Sequence, residues 1–147
     1  GETRARGLEL EALVAVTPDW DLIGTYSYTD TTVLNGSPAE QGKRLASVPE
    51  NMASVWSQHR FSIGDIPGFS VGAGVRYVGT SWDGADRVKT PSSTLLDAML
   101  GYRYQNWNMT LNATNLEDKT YYTTCLARGD CFIGNRRTIV GTLAYNF

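Results

Sequence analysis

Few side chains in this sequence have the types and spacing that chemistry needs, and the clearest are its only two cysteines. Cys125 and Cys131 lie six positions apart. An even pair this close in sequence favours a disulfide wherever the compartment is oxidising. The alternative is a metal site, but His59 is the only histidine, and these three side chains are too few for a closed zinc site. We therefore expect no metal, and a disulfide if the segment lies in an oxidising compartment.

A hydroxyl and an imidazole also lie close together in the sequence. In the stretch SQH, Ser57 and His59 share one face if the segment is a strand. A serine beside a histidine can act as a nucleophile, so an enzyme must be considered, but the base is normally oriented by a third group. The sequence identifies no such group, and we predict that the chain is not an enzyme.

A third group consists of large apolar side chains in or beside long polar segments. Aromatic rings at the mouth of a pocket can bind an amphipathic ligand, but such rings also pack within loops or lie at a membrane interface. The candidate ligand-binding residues are Trp82, Tyr121, Tyr122, Leu126 and Phe132.

The elements that must position these residues are predicted to be strands. Apolar and polar residues alternate with a period of two, which is typical of half-buried strands. Frequent tyrosine, tryptophan and glycine also suit strands better than helices. The pattern predicts seven strands of about ten residues each, at 8–16, 20–29, 52–63, 69–78, 95–104, 107–114 and 138–147.

The connections between these strands alternate in length. Those at 17–19, 64–67 and 105–106 are short, whereas those at 31–47, 80–93 and 117–135 are long and polar. Short turns at one edge and long loops at the other are typical of transmembrane β-barrels. We therefore predict an all-β fold, an antiparallel transmembrane β-barrel meander in the bacterial outer membrane.

Aromatic residues support a membrane location. Seven aromatic residues share the outward face and lie near a short turn or near the last residue: Trp20, Phe61, Phe69, Tyr104, Trp107, Tyr145 and Phe147. Amphipathic rings are favoured at the level of the lipid headgroups, so this row indicates a membrane interface. By contrast, no run of 18 apolar residues exists, and a net charge of −2 without a basic cluster argues against nucleic acid as a partner.

The number of strands bears on how much of a barrel the chain forms. Single-chain bacterial barrels have even strand numbers, so seven strands do not complete one. The chain begins at Gly1 rather than at a methionine. We expect residues 1–147 to be the C-terminal part of a larger barrel. The terminal Phe147, with apolar residues at alternating positions before it, also resembles the C-terminal insertion signal of outer-membrane barrels.

Several stretches together resemble one protein family. They are RARGLELEA (4–12), GKRLASVPENMASVW (42–56), GAGVRYVG (72–79), NATNLEDKTYY (112–122) and the closing GNRRTIVGTLAYNF. In this order they are similar to the TonB-dependent outer-membrane receptors, and they cover nearly the whole chain. Glu117 departs from the family, which more often has an apolar residue there. The resemblance implies a plugged barrel of 22 strands, of which this chain would form the last seven, without the plug domain.

The spacing CLARGDC (125–131) resembles the ferrichrome and ferrioxamine receptor branch. That resemblance implies import of ferric hydroxamate siderophores. It implies as partners the plug domain and remaining strands of the parent chain, the TonB complex, outer-membrane lipid and the ferric siderophore as ligand, with no cofactor. It also implies an aromatic lining of the mouth that includes a residue of the disulfide loop. Leu126 lies where that aromatic residue is expected.

The alternatives to hydroxamate import are another cargo and a lipid-facing enzyme. The same receptor fold could take another siderophore, cobalamin or haem. An outer-membrane phospholipase also uses serine and histidine, in a different order and nearer the outer leaflet.

If Gln105 and Asn106 form a two-residue turn, Tyr104 pairs with Trp107, Tyr102 with Met109 and Arg103 with Asn108. Charged residues on the opposite, lumen-facing side would contact water or the plug, namely Glu9, Glu11, Arg76, Asp97 and Arg103.

Overall fold

The computed structural model describes all 147 residues and consists of strands, turns and loops. Eleven strands follow one another: β1 (Glu2–Thr17), β2 (Trp20–Asn35), β3 (Asn51–Ile63), β4 (Ile66–Val78), β5 (Ser81–Trp82), β6 (Lys89–Thr90), β7 (Ser93–Tyr104), β8 (Trp107–Thr114), β9 (Tyr122–Cys125), β10 (Cys131–Ile133) and β11 (Thr138–Tyr145). No helix of the structure has the length and apolar character needed to cross a membrane.

Seven of these strands form one antiparallel sheet in the order β1-β2-β3-β4-β7-β8-β11. Each strand therefore pairs with the next long strand along the chain, which confirms the predicted meander. The remaining four strands form two small hairpins, β5–β6 and β9–β10, within the long connections.

The register between β7 and β8 is the predicted one. Tyr104 pairs with Trp107, Tyr102 with Met109 and Arg103 with Asn108. The turn between the two strands consists of Gln105 and Asn106, and Gln105 has a φ of 49°. The other two short turns also have two residues, at 18–19 and 64–65, so Ile66 and Pro67 belong to β4 and not to the turn.

The predicted strand lengths were wrong for the first two strands, which have 16 residues each. The polar residues among 31–35 predict a loop, yet β-branched threonine and valine favour strands. This part of β2 pairs with the start of β1, since Ala5 lies opposite Thr31 and Thr3 opposite Val33. The loop between β2 and β3 therefore spans residues 36–50.

Aromatic rings form a row along the short-turn edge, as the sequence predicted. Rings of neighbouring strands stack in sequence, with centroids 4.6 Å apart between Phe69 and Tyr102 and 5.9 Å apart between Phe61 and Phe69. Farther along, Trp107 and Tyr145 lie 4.9 Å apart and Tyr145 and Phe147 lie 5.3 Å apart. Stacked and tilted rings stabilise one another beyond their burial, and their common face is the one that carries the apolar residues of each strand.

The opposite face of the sheet carries polar and charged groups together with Trp56. The indole of Trp56 packs against β4 at Gly72 and Gly74. A Cβ atom added at Gly72 would lie 2.4 Å from its ring, and one added at Gly74 would lie 2.5 Å from it. Farther along this face the guanidinium of Arg76 donates two hydrogen bonds to the carboxylate of Asp97. The two glycines thus make room for an aromatic side chain on this polar face.

Replacing Gly72 by alanine should therefore destabilise the sheet. The added methyl group meets the Trp56 ring at 2.4 Å and must displace it, which we expect to lower the free energy of unfolding by about 1–2 kcal/mol. The measurement is a urea titration of the protein in lipid vesicles. The matched control is Gly24→Ala in β2, where an added Cβ has nothing within 4 Å. Equal urea midpoints for Gly72→Ala and Gly24→Ala would mean that Trp56 repacks without loss of stability.

Candidate functional site

The three long connections meet at one edge of the sheet. The loop 36–50 contacts the β5–β6 hairpin, because the backbone N–H of Ser47 donates to the carbonyl oxygen of Trp82 at 2.8 Å. It also contacts the β9–β10 hairpin through a hydrogen bond between the hydroxyls of Ser47 and Thr124. The two hairpins join each other where the N–H of Cys125 donates to the hydroxyl of Thr90 at 2.8 Å. The structure thus joins all three long connections at this edge through these hydrogen bonds.

The predicted disulfide is present. Cys125 and Cys131 are bonded, and they lie opposite each other in the register of β9 and β10. Cys125 is only 2% exposed. The disulfide joins β9 to β10 at the point where the tip of the hairpin begins. In the chain-entropy account, closing so short a loop stabilises the folded state by roughly 2–2.5 kcal/mol.

Two cationic side chains lie over the ring of Trp82. The guanidinium carbon of Arg44 lies 5.2 Å from the centre of the indole, and the ammonium of Lys89 lies 5.7 Å from it. Arg44 is itself held by Glu50 at 3.0 Å and by Asp86 at 3.5 Å. Cations over an indole are stabilising, so part of the Trp82 ring serves to join the loops. Sequence reasoning missed Arg44, which is distant from Trp82 along the chain.

Tyr121 supports the base of the last long loop. Its ring lies against Gly134, where an added Cβ would be 2.1 Å from the ring carbon Cζ, and its carbonyl oxygen accepts a hydrogen bond from the Gly134 N–H at 2.9 Å. Leu126 is half-buried, and its N–H donates to the carbonyl of Asp130 at 2.8 Å within the hairpin tip. Both residues thus make contacts that hold the loop in shape.

Tyr122 and Phe132 are the most exposed of the candidate residues. They are 42% and 50% exposed and belong to the paired strands of the β9–β10 hairpin. A cleft of about 400 Å³ opens beside Tyr121 and Tyr122, and its other wall is formed by residues 91–95. The structure therefore gathers four of the five candidates on or beside one hairpin, with Trp82 on the hairpin that touches it.

Asn115 is a buried residue that sequence reasoning did not single out. It is 2% exposed and has a φ of 52°. Its side-chain NH₂ donates to the carbonyls of Lys119 at 2.8 Å and Asn135 at 3.0 Å, and its side-chain oxygen accepts from the Lys119 N–H at 2.9 Å. Its own N–H donates to Asp97 at 3.0 Å. Asn115 thus ties both ends of the loop to the sheet. These contacts explain the structural role of the second asparagine in the stretch NATN.

Asp118 makes a second tie across the base of the same loop. The Arg136 guanidinium donates to both carboxylate oxygens, at 2.9 Å and 2.7 Å, and the Arg137 N–H donates at 2.9 Å. The Arg136 side chain, helped by the Arg137 N–H, holds the pKa of Asp118 well below its ordinary value of 3.8. The negative charge therefore persists in the folded loop at pH values where a free aspartate is already protonated.

Acid should consequently loosen this loop. Because the folded-state pKa of Asp118 is lowered, its contribution to stability is fully present above the unfolded pKa and is lost as the pH falls below about 4. We expect faster amide exchange in residues 118–137 at about pH 2 than at about pH 5, after correction for intrinsic rates. Asp118→Asn should exchange faster at both pH values and lose the pH dependence. If the wild-type rates stay constant, the ion pair does not hold the loop.

The serine and histidine pair does not form a nucleophile with its base. The hydroxyl of Ser57 accepts a hydrogen bond from the indole N–H of Trp20 at 2.9 Å, and the His59 ring stacks on Phe61 at 6.1 Å. No hydrogen bond joins Ser57 to His59. Both residues lie on the aromatic face near the short-turn edge, since His59 pairs with Trp20 in the register.

The charged residues of the opposite face divide into two groups. Arg76 and Asp97 form an ion pair. The side chains of Glu9, Glu11 and Arg103 take part in none of the ion pairs within the chain. Their charges are thus available to another partner on that face.

Comparison with known proteins identifies the family. Residues 1–116 match the family model described as TonB dependent receptor-like, beta-barrel. The whole chain is 36% identical to the ferrioxamine B receptor of Salmonella typhimurium and 35% identical to the ferrichrome outer membrane transporter/phage receptor of Escherichia coli K12. It covers 22% and 20% of those two proteins, and so spans about a fifth of the relatives that it matches.

A solved structure gives the same result. The crystal structure of the ferric-catecholate import receptor Fiu from E. coli K12, in its closed form, matches 99% of this chain with a TM-score of 0.80 and 33% identity. The match covers 21% of Fiu. The predicted family and fold are therefore confirmed, and this chain belongs to the β-barrel family of TonB-dependent outer-membrane receptors.

Proposed function

We propose that this chain contributes seven barrel strands to an outer-membrane receptor of 22 strands that imports ferric hydroxamate siderophores with energy from TonB. The observation that carries the proposal is the similarity of the whole chain, at 36% and 35% identity, to receptors named for ferrioxamine B and ferrichrome. The disulfide-closed hairpin at the long-loop edge is consistent with it.

The ligand site in this proposal is the edge where the long connections meet. A hydroxamate siderophore has apolar linkers between its metal-chelating oxygens, and aromatic rings can cover such linkers. Tyr122 and Phe132 supply open ring surface, and Tyr121, Trp82 and Leu126 line or support the same region. The proposal assigns ligand contact first to Tyr122 and Phe132, because the other three have structural contacts of their own.

The partners in this proposal follow from the two faces of the sheet. The apolar face, with its aromatic row, contacts outer-membrane lipid. On the other face Glu9, Glu11 and Arg103 contact the plug domain of the intact receptor, with charges that no residue of this chain pairs. No cofactor and no nucleic acid take part.

Another cargo is the second candidate. The likeness to Fiu, a receptor for ferric catecholates, at 33% identity favours a catecholate siderophore as the first alternative. Cobalamin and haem are the others. An enzymatic role is not proposed, because the Ser57 hydroxyl is bonded to Trp20 and the relatives are transport receptors.

Ligand binding to the purified intact receptor tests the proposal. Ferrichrome, ferrioxamine B, a ferric catecholate, cobalamin and haem are compared by equilibrium dialysis. We expect saturable binding of a ferric hydroxamate at least tenfold tighter than that of any other ligand, which corresponds to about 1.4 kcal/mol. Preferred binding of the catecholate, cobalamin or haem would overturn the hydroxamate assignment and leave the family assignment intact.

A further inference from the structure

The hydrogen bonds among the three long connections converge on one residue, Ser47. Its N–H bonds to Trp82 of the β5–β6 hairpin at 2.8 Å, and its hydroxyl bonds to Thr124 of the β9–β10 hairpin. Ser47 itself lies in the loop 36–50. One residue of the first connection therefore contacts both others.

The backbone at Ser47 is set for this double contact. Its φ of 62° lies in the left-handed region, which is uncommon for residues other than glycine. Such a conformation persists where the surroundings fix it. Just before Ser47 the loop is anchored to the sheet, because the Leu45 N–H donates to the hydroxyl of Thr31 at 3.1 Å, and Thr31 is buried.

The β9–β10 hairpin depends on outside contacts for its position. Its strands have only four and three residues, and so short a hairpin is marginal by itself in water. Its hydrogen bonds to the other two long connections are those of Thr90 at the N–H of Cys125 and of Ser47 at the hydroxyl of Thr124. The Thr90 contact is buried, with Thr90 3% exposed, whereas the Ser47 contact lies nearer the surface.

We propose that Ser47 is a positioning residue for the ligand site: it fixes the β9–β10 hairpin, and with it Tyr122 and Phe132, against the β5–β6 hairpin before the ligand arrives. This inference rests on the proposed function. A site that is ordered in advance loses less conformational entropy when it binds its ligand. Ser47 therefore acts on affinity without touching the ligand, through the placement of two rings on another connection.

The test uses single and double variants of the intact receptor. Ser47→Ala and Thr124→Val each remove one hydroxyl of the same hydrogen bond. The matched control is Ser37→Ala, which removes a hydroxyl bonded to Glu40 at 2.6 Å inside the same loop and touches no other connection. Amide exchange of residues 122–133 and affinity for ferrichrome and for ferrioxamine B are both measured.

We expect Ser47→Ala and Thr124→Val each to raise hairpin exchange and to weaken siderophore binding about fivefold, the size of effect that one neutral hydrogen bond gives. The double variant should be no weaker than either single variant, because both remove the same bond. The association rate should fall, since the hairpin must be ordered during binding. The unfolding midpoint of the barrel should equal that of Ser37→Ala.

Two results would overturn the inference. One is a value for hairpin exchange, or for affinity, in Ser47→Ala that matches that of Ser37→Ala, and the other is additive losses in the double variant. If wild type binds no siderophore, the proposed function fails instead, and the exchange of residues 122–133 still decides whether Ser47 holds the hairpin.

Discussion

Asn115→Ala should release the last long loop from the sheet. The variant loses three side-chain hydrogen bonds, to the N–H and carbonyl of Lys119 and to the carbonyl of Asn135. At about 1 kcal/mol for each bond, we expect local stability to fall by about 3 kcal/mol. The left-handed backbone at this position, which asparagine tolerates better than alanine, adds to the loss. Amide exchange of residues 116–136 should accelerate by about a hundredfold.

The control for Asn115→Ala is the same change at Asn35. Asn35 is exposed at the end of β2, and its side chain makes no hydrogen bond in the structure. Amide exchange in the Asn35→Ala variant should match that of wild type at all residues. The seven-stranded sheet should keep its protection in both variants, because its ladders do not depend on Asn115. Unchanged exchange of the loop in Asn115→Ala would mean that its other ties, such as Asp118 with Arg136, are enough to keep the loop in place.

Removing both exposed rings of the β9–β10 hairpin should abolish most siderophore affinity. Losing either Tyr122 or Phe132 alone should weaken binding by about 1–2 kcal/mol, or roughly 5–30-fold. The double variant to alanine should lose about a hundredfold or more. The measurement is ferric-siderophore binding to the intact receptor, with barrel folding checked by heat-modifiable migration on gels.

The rings with structural contacts should behave differently. Trp82→Ala and Tyr121→Ala should weaken binding together with loop order, because Trp82 is covered by Arg44 and Lys89 and Tyr121 packs on Gly134. Tyr122→Ala and Phe132→Ala should change affinity while hairpin exchange stays near that of wild type. If all four variants bind like wild type, this edge is not the ligand site.

The strands of the sheet could be predicted from the sequence because their signals are local. The alternation through Trp107, Met109 and Leu111 marks one strand, and the Gln105-Asn106 turn fixes its register against β7. The aromatic row followed from the same alternation, since residues opposite each other across strands share a face. Both features depend on neighbours in sequence or on adjacent strands.

The contacts of the long connections could not be predicted in the same way. Arg44 reaches Trp82, and Ser47 reaches Thr124, across tens of residues of chain with no repeating pattern between them. Asn115 lies one residue beyond a predicted strand, where its alternation would place it outward, yet its left-handed φ turns the chain and its side chain is buried. The threonine-rich end of β2 is polar and so predicts a loop, although its β-branched residues favour a strand. The ligand contacts of Tyr122 and Phe132 stay a prediction.

Uptake of iron by living cells tests the central claim most directly. The intact receptor is expressed in a bacterial strain that makes no siderophore and lacks its own hydroxamate receptors, and ferrichrome or ferrioxamine B labelled with radioactive iron is supplied. We predict accumulation of iron from at least one of these hydroxamates when TonB is present, and only surface binding when TonB is deleted. Equal accumulation with and without TonB, or no accumulation from either hydroxamate by a receptor that is folded in the outer membrane, would contradict the account.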